Sequence, residues 1–168
     1  MGDPAGLVEQ AKAELAFVVQ TYLPEDQVRT VMAAAEFADR AHAGITRKSG
    51  EPYILHPIEV ARICVEEIGL GPTAVICALL HDVVEDTDVT LKDVHKQFGD
   101  RVALIVDGLT KLDGLHETES PQAENLGKVL RTMLSDVRVV LIKMADRLHN
   151  MRTIKSMPEN KQKKIAAE

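Results

Sequence analysis

The sequence predicts an all-α domain, a compact bundle of roughly eight to ten helices with strand content near zero. Three observations carry this expectation. Apolar residues recur at three- and four-residue intervals through most of the chain, the spacing of a helical stripe. The 168 residues are 45% hydrophobic but only 3% aromatic, with no Trp. The core must therefore be built from Ala, Leu, Ile, Val and Met, which suits close-packed helices. Gly and Pro cluster between the periodic segments, where helices stop and start. The length suffices for one domain with a sizeable core, and residues 1–168 read as a single unit without internal repeats or low-complexity tracts.

Asp3-Pro4 is a start signal, and Leu7, Val8, Ala11, Leu15, Val18, Val19 and Tyr22 form the first stripe. Pro24-Glu25-Asp26 opens a second helix, since proline is tolerated in a first turn and acids suit the positive end of the dipole. Val28, Val31, Met32, Ala35, Phe37, Ala38 and Ala41 carry it to His42, and Gly44 ends it. Residues 47–53 form a loop broken by Gly50 and Pro52. The next helix covers residues 57–65, with His56 just before it and Pro57 near its first position. Gly69-Leu70-Gly71-Pro72 breaks the chain again. Pro72-Thr73 then starts the most apolar segment, Ala74-Val75-Ile76-Cys77-Ala78-Leu79-Leu80, which is expected to continue as helix into His81-Asp82-Val83-Val84-Glu85-Asp86.

Thr90 is expected to cap a helix through Leu91, Val94 and Phe98, ended by Gly99. Asp100 is expected to cap the following one, over residues 102–106 towards Leu109 and Leu112. Residues 113–124 are polar, broken by Gly114 and Pro121, and read as the longest and most mobile loop. A helix resumes near Asn125 and runs through Val129, Leu130 and Met133. Ser135-Asp136 restarts the chain into residues 137–152. The β-branched run at 137–142 could be a strand, but its continuation to Arg152 favours helix. Pro158 interrupts, and residues 159–168 read as helical.

A net charge of −6 excludes a general nucleic-acid clamp, so an anionic substrate needs a local basic patch. Cys64 and Cys77 both fall in apolar helical stretches and read as small core residues in a reducing compartment. No apolar run reaches transmembrane length and no signal-peptide pattern is present, so the expectation is a cytoplasmic, soluble protein without membrane contact.

The chemistry concentrates where apolar runs end in ionisable groups. At about 100° per residue, His81, Glu85, Asp82 and Asp86 would share little more than a third of a helix circumference. A buried run joined to such a cluster implies charges at the floor of a cavity, where a bound cation would settle them. The same design recurs at Asp146, after residues 137–145, and His56 adjoins a third apolar helix. Two imidazoles and two carboxylates make a mixed nitrogen and oxygen donor set that suits a divalent ion of the manganese, iron, zinc or magnesium group, and without thiolate octahedral Mn2+ is preferred over structural zinc. Sequence spacing does not itself bring these points together. Arg47-Lys48-Ser49-Gly50 offers charge, a hydroxyl and close backbone approach, a group suited to phosphate. His42, His95 and His116 read as non-ligands, with His42 at a helix end. His149 reads either as a support for Asp146 or as a surface residue, Lys111 as a surface residue, and Met32, Met133, Met144 and Met151 as core filler.

Four motifs, in order, resemble the hydrolase domain of RelA/SpoT-type bifunctional alarmone enzymes within the HD phosphohydrolase superfamily. They stand as Arg47-Lys48-Ser49-Gly50-Glu51-Pro52-Tyr53-Ile54-Leu55-His56-Pro57, then Ala78-Leu79-Leu80-His81-Asp82-Val83-Val84-Glu85-Asp86-Thr87, then Val106-Asp107-Gly108-Leu109-Thr110-Lys111-Leu112, and last Leu141-Ile142-Lys143-Met144-Ala145-Asp146-Arg147-Leu148-His149-Asn150-Met151-Arg152-Thr153. The resemblance implies an HD-type helical fold and Mn2+-dependent removal of the 3′-pyrophosphate from guanosine tetra- or pentaphosphate (ppGpp or pppGpp), in the stringent response. It implies His56, His81, Asp82 and Asp146 as metal ligands, and Glu85 and Asp86 as the acidic pair acting on the attacking water. It further implies Arg47, Lys48 and Ser49 as the nucleotide-contacting loop, with Lys143, Asn150 and Thr153 lining the same pocket. Ile45 departs from the family's usual Gln, which bears on the loop's hydrogen bonding. Relative to the family, the chain is expected to be cut short at its C-terminal end and to lack synthetase and regulatory regions, so that ribosome or tRNA contact would belong to parts outside it. The competing expectations are an HD phosphohydrolase of another nucleotide, and a module that binds alarmone without turnover.

Overall fold

A computed structural model describes residues 3–113 and 136–154, together with Gln162. The described residues form helices and loops, with a lone antiparallel bridge between Thr46 and Pro52 in place of any strand. The all-α expectation is met. The expected loop at 113–124 lies outside the described residues except for Asp113, which ends a helix instead; the helix from Asn125 with Met133, His116, and the expected helix over 159–168 apart from Gln162 also lie outside them.

Helix α1 (Pro4–Tyr22) begins where Asp3 accepts a hydrogen bond from the Ala5 amide at 3.1 Å, with Pro4 in the first turn. Helix α2 (Glu25–Ala41) follows a two-residue break and carries Glu25 and Asp26 in its first turn, as its sequence indicates. The two are clamped by Lys12, only 5% exposed, whose ammonium reaches Glu9 and Glu36 at 3.1 Å and Asp39 at 2.6 Å. Burial alone would favour the neutral amine, but the three carboxylates outweigh it and hold the charged form.

Helix α3 (Leu55–Glu66) starts earlier than expected. Its entry is wound by Leu55 and His56 amides on the Pro52 and Tyr53 carbonyls, at 3.2 and 3.0 Å. His56 is therefore a buried first-turn residue, held by helical backbone, and Pro57 sits behind it.

Helix α4 (Pro72–Leu80) is buried at every position from Ala74 to Leu80 and packs against α2, α3 and two later helices, Asp100–Asp113 and Val137–Arg152. The expected unbroken helix through Asp86 is corrected here. The helix stops at Leu80, His81-Asp82 form a turn, and α5 (Val83–Asp86) is a separate single turn. Two local facts account for the break. His81 donates through Nδ1 to the Ala78 carbonyl at 2.6 Å, satisfying one of the acceptors a helix end leaves open. Asp82 sits at φ −101°, ψ −6°, off the helical values. A straight helix would splay these adjacent side chains by about 100°, whereas the turn lets both reach one buried point.

Helix α6 (Leu91–Phe98) has the expected Thr90 cap in reciprocal form, the Asp93 amide donating to Thr90 Oγ1 while Asp93 accepts from the Thr90 amide. Gly99 ends it at φ +86°, a region that disfavours any side chain. Helix α7 (Asp100–Asp113) takes Asp100 as its first residue, not as the preceding cap. Helix α8 (Val137–Arg152) settles the ambiguity at 137–142 in favour of helix. Asp136 caps it by accepting from the Arg138 amide at 3.0 Å, and the Arg138 guanidinium grips the same carboxylate at 2.9 and 2.6 Å.

Ile58, Leu79, Leu80, Ile105, Leu109 and Ile142 are fully buried and draw α3, α4, α7 and α8 around one core. Cys64 and Cys77 are buried free thiols, as expected, and burial pushes the Cys64 thiol up to about 12. Met144 and Met151 are not core filler: they are 61% and 43% exposed, because α8 turns Ile142 and Ala145 inward instead. Among the described residues, no helix is long and apolar enough to cross a membrane.

Two outcomes follow from this packing. Leu79→Ala should cost about 2–5 kcal/mol, read as a lower urea midpoint with unchanged slope. Asp136→Ala should cost about 1 kcal/mol at neutral pH. The Arg138 hydrogen bond holds the Asp136 carboxyl below its ordinary range. Its stabilisation is therefore present above the unfolded-state value near pH 4 and lost as pH falls through the lower folded value. The stability gap between the variant and the unmodified chain should close on acidification below about pH 4.

Candidate metal centre

Four of the side chains singled out in the sequence meet at one buried point. His56 enters from the first turn of α3, His81 and Asp82 from the turn between α4 and α5, and Asp146 from the inward face of α8. His56 Nε2 lies 3.0 Å from Asp146 Oδ1 and 3.9 Å from Asp82 Oδ2. His81 Nε2 lies 2.9 Å from Asp82 Oδ2 and 4.0 Å from Asp146 Oδ1. Donor atoms of His56, His81 and Asp82 all fall within 4.8 Å of one another.

The donor set fits a metal ion. His81 is 1% exposed, and its Nδ1 is committed to the Ala78 carbonyl. Its Nε2 is buried, lies 2.9 Å from Asp82 Oδ2 as an ion pair, and has no well-formed hydrogen bond. A buried nitrogen without a hydrogen-bond partner, facing two carboxylates, is a donor aimed at a cation.

The electrostatics agree. Burial alone would lower the His81 value, but Asp82 and Asp146 outweigh it and raise it to about 9. Burial alone would raise the two carboxyls. His81 and His56 hold Asp82 well below the usual carboxylate range, and His56, His81 and Lys143 do the same for Asp146. For His56, burial wins over the Asp146 carboxylate and the value falls. At His81, Asp82 and Asp146 the buried charge is settled by opposite charge drawn to the same place, while His56 is settled as the neutral ring.

Asp146 is held on all sides. Its Oδ2 receives the Lys143 ammonium at 2.9 Å, and its Oδ1 accepts from Asn150 Nδ2 at 2.9 Å. Asn150 Oδ1 in turn accepts from Arg47 Nη2 at 2.9 Å. Lys143, Asn150 and Arg47 are thus joined to the metal-ligand candidate, with Arg47 reaching across from the loop.

That loop closes on itself. The Arg47 amide donates to the Glu51 carbonyl, the Gly50 amide to the Arg47 carbonyl, both at 2.9 Å, and the Tyr53 amide to the Ile45 carbonyl at 3.0 Å. Gly50 sits at φ +94°, which the turn requires. Ile45, the departure from the resembled pattern, leaves this main-chain bonding intact and donates its own amide to the His42 carbonyl at 2.9 Å. Arg47, Lys48, Ser49, Tyr53 and Asp86 line a cleft of about 390 Å³. Asp86 joins the loop there; Glu85, its neighbour on α5, is exposed. Thr153 donates its hydroxyl to the His149 and Asn150 carbonyls at 3.0 and 3.3 Å, at the C-terminal end of α8.

Three side chains take parts that sequence reasoning did not give them. Tyr53 donates its hydroxyl to Asp82 Oδ2 at 2.7 Å and is pushed up by burial and by that carboxylate. His42 ends α2 as expected, but it is buried there: Nδ1 bonds the Ala38 carbonyl at 2.8 Å and the ring stacks on Tyr53 with centroids 4.8 Å apart. His149 meets His56, not Asp146, with the two Nδ1 atoms 2.7 Å apart. Burial, with His56 and Arg47 beside it, lowers the His149 value to about 4. The usable signal for Tyr53 was its place in a nearly aromatic-free chain, three residues before a candidate ligand.

Comparison with known proteins is consistent with this geometry. The model of the HD domain family matches residues 34–168. The chain is 48% identical over 153 residues to the bifunctional (p)ppGpp synthase/hydrolase SpoT of Escherichia coli, covering 90% of this chain and 22% of that protein. It is 47% identical over 153 residues to a guanosine-3′,5′-bis(diphosphate) 3′-pyrophosphohydrolase of Vibrio cholerae, and 48% identical over 141 residues to a GTP pyrophosphokinase of Streptomyces coelicolor. These matches cover 90% and 84% of this chain, and 22% and 16% of the two relatives. The chain thus spans about a fifth of the length of the curated relatives it matches. A solved structure of a metazoan SpoT orthologue, described as hydrolysing ppGpp, superposes with a TM-score of 0.62 at 27% identity, covering 80% of this chain and 78% of that one. With the family's model extending over most of its length and a donor set buried where its helices meet, the chain belongs to the HD domain family.

Proposed function

We propose that this chain is an alarmone hydrolase domain, which removes the 3′-pyrophosphate of ppGpp or pppGpp to leave GDP or GTP, with Mn2+ as its cofactor. The observation that carries the reading is the convergence of His56, His81, Asp82 and Asp146 on one buried point, next to a cleft whose rim is Arg47, Lys48 and Ser49. The names of the relatives support the choice of substrate: two of them, and the metazoan structure, are described as acting on this nucleotide.

The ion would be held by the four converging side chains, and when bound it would activate water and polarise a phosphoryl oxygen. The rest is work for the chain's own groups. Arg47 and Lys48 supply the positive charge that a protein of net charge −6 otherwise lacks, and Ser49 offers a hydroxyl beside them. The Arg47 guanidinium is already oriented by Asn150, so little rotamer freedom is lost when an anion or a base face arrives. Asp86 on the cleft wall and Glu85 beside it are the acceptors for the proton released as water adds to the phosphorus bonded to the ribose 3′ oxygen. As that P–O bond breaks, the 3′ oxygen takes up a proton and pyrophosphate departs. Lys143 and Asn150 act mainly by fixing Asp146, and Thr153 by holding the end of α8 that carries them. The setting that fits this chemistry is the bacterial cytoplasm, with ribosome or tRNA contact left to other parts of a longer protein.

Two measurements test the reading. Adding Mn2+ at about a hundred times its dissociation constant to metal-free protein should stabilise the fold by about 2.7 kcal/mol, seen as a higher Tm. Asp82→Ala should remove that shift; an equal shift in the variant would sink the metal-site assignment. Incubation with Mn2+ and ppGpp should release GDP and pyrophosphate, and Glu85→Gln and Asp86→Asn should each slow release by about 10²–10⁴-fold while nucleotide binding persists. Binding of ppGpp without any turnover by the unmodified chain would sink the hydrolase reading in favour of a binding module. Turnover of other nucleotides but not ppGpp would move it to another substrate.

A further inference from the structure

We infer that His149 is a positioning residue that sets the tautomer of His56, and that the hydrogen bond between the two imidazoles reverses direction when the site takes up a divalent cation. The inference rests on the metal-centre reading above and asks how that centre can exist both empty and filled.

The two histidine ligand candidates are oriented in different ways. His81 Nδ1 faces the Ala78 carbonyl at 2.6 Å. A carbonyl only accepts, so His81 keeps its hydrogen on Nδ1 throughout, and Nε2 is the nitrogen left to meet a cation. His56 has no such fixed partner at Nδ1. Its partner is His149 Nδ1 at 2.7 Å, with ring centroids 4.9 Å apart. A neutral imidazole nitrogen can donate or accept, and a hydrogen bond between two of them needs one hydrogen, carried by either ring.

The other side of His56 decides which ring carries it. Nε2 lies 3.0 Å from Asp146 Oδ1, which can only accept. Without a cation, Nε2–H donates to Asp146, so His56 Nδ1 has no hydrogen and accepts from His149 Nδ1–H. With a cation, Nε2 must offer its lone pair. The hydrogen of His56 then sits on Nδ1 and donates to His149 Nδ1, while His149 carries its own hydrogen on Nε2. The pair holds two ring hydrogens in both arrangements, so the site fills without expelling a proton from these rings. A backbone carbonyl in the place of His149 would oppose the empty arrangement, and a fixed donor there would oppose the filled one. His149 serves both, and the i,i+3 spacing from Asp146 on α8 delivers it beside the ligand it serves.

The test uses the full chain, with the diamagnetic Zn2+ as probe for nuclear magnetic resonance and Mn2+ for calorimetric affinity. Long-range 15N–1H spectra of the histidine-labelled, unmodified chain should show His56 as the Nε2–H tautomer without metal and the Nδ1–H tautomer with Zn2+. His149 should change in the opposite sense and His81 should stay Nδ1–H throughout. His149→Leu, which can neither donate nor accept, should bind Mn2+ about 10–100-fold more weakly. His149→Gln, whose amide offers either role, should recover most of that loss. His56 holding one tautomer in both states, while His81→Ala abolishes metal binding, would overturn this inference and leave the metal centre standing. Metal binding in His149→Leu equal to that of the unmodified chain would overturn it as well. No metal binding by the unmodified chain would remove both the centre and the inference.

Discussion

The structure depends on one electrostatic problem: two carboxylates and two imidazoles are buried together where four helical segments meet. Isolated buried charge costs several kcal/mol, and each of these groups would be unstable there alone. Each is tolerable because its neighbours carry the complementary charge, as the depressed Asp82 and Asp146 carboxyls and the raised His81 imidazole attest. The surrounding fold serves this arrangement. Helix α4, buried from Ala74 to Leu80, carries His81 into the interior, and α3 and α8 pack against it and against each other with His56 and Asp146. Tyr53 and Asn150 donate to the same carboxylate oxygens that the imidazoles approach, and Lys143 takes up the Asp146 oxygen that faces away from them.

The break after Leu80 shows how a local departure from regular structure serves this end. An unbroken helix would keep its hydrogen-bond ladder but send Asp82 away from His81. The turn exchanges that regularity for two coincident side chains, and the helix end is repaired by the His81 ring on the Ala78 carbonyl. The same bond fixes the ring's tautomer, so one contact caps the helix and prepares a ligand.

Much of this was legible in the sequence, for identifiable reasons. The helices with strong stripes or chemical caps, from Asp3-Pro4, Thr90 with Gly99, and Asp136, appear where their residues indicate, because those signals act within one turn. The start of α3 was misjudged because Pro57 looks like a first residue, while the turn at Pro52–Tyr53 winds the helix earlier. Met144 and Met151 were misjudged because apolar character says nothing of which face of α8 finds a partner. The convergence of His56, His81, Asp82 and Asp146 is a fact of tertiary packing between residues far apart in the chain, and no spacing rule contains it. The same is true of His149: its partner is His56, 93 positions away, and not the Asp146 three residues before it that sequence proximity suggests.

The loop and the buried centre are one structure in a mechanical sense. Arg47 is the charge proposed to face the substrate, yet its guanidinium ends on Asn150, Asn150 ends on Asp146, and Asp146 meets His56. These bonds run through side chains on three separate elements, each locked by packing or backbone contacts of its own. An arginine on a free loop would lose several rotamers on meeting an anion. Here part of that loss has already been incurred in folding, and the group that fixes Arg47 is the same amide that fixes the metal-ligand candidate. Replacing Asn150 would therefore release two functional side chains at once. This explains why a neutral, half-buried amide near the end of α8 can matter to both the cleft and the centre without carrying any charge itself.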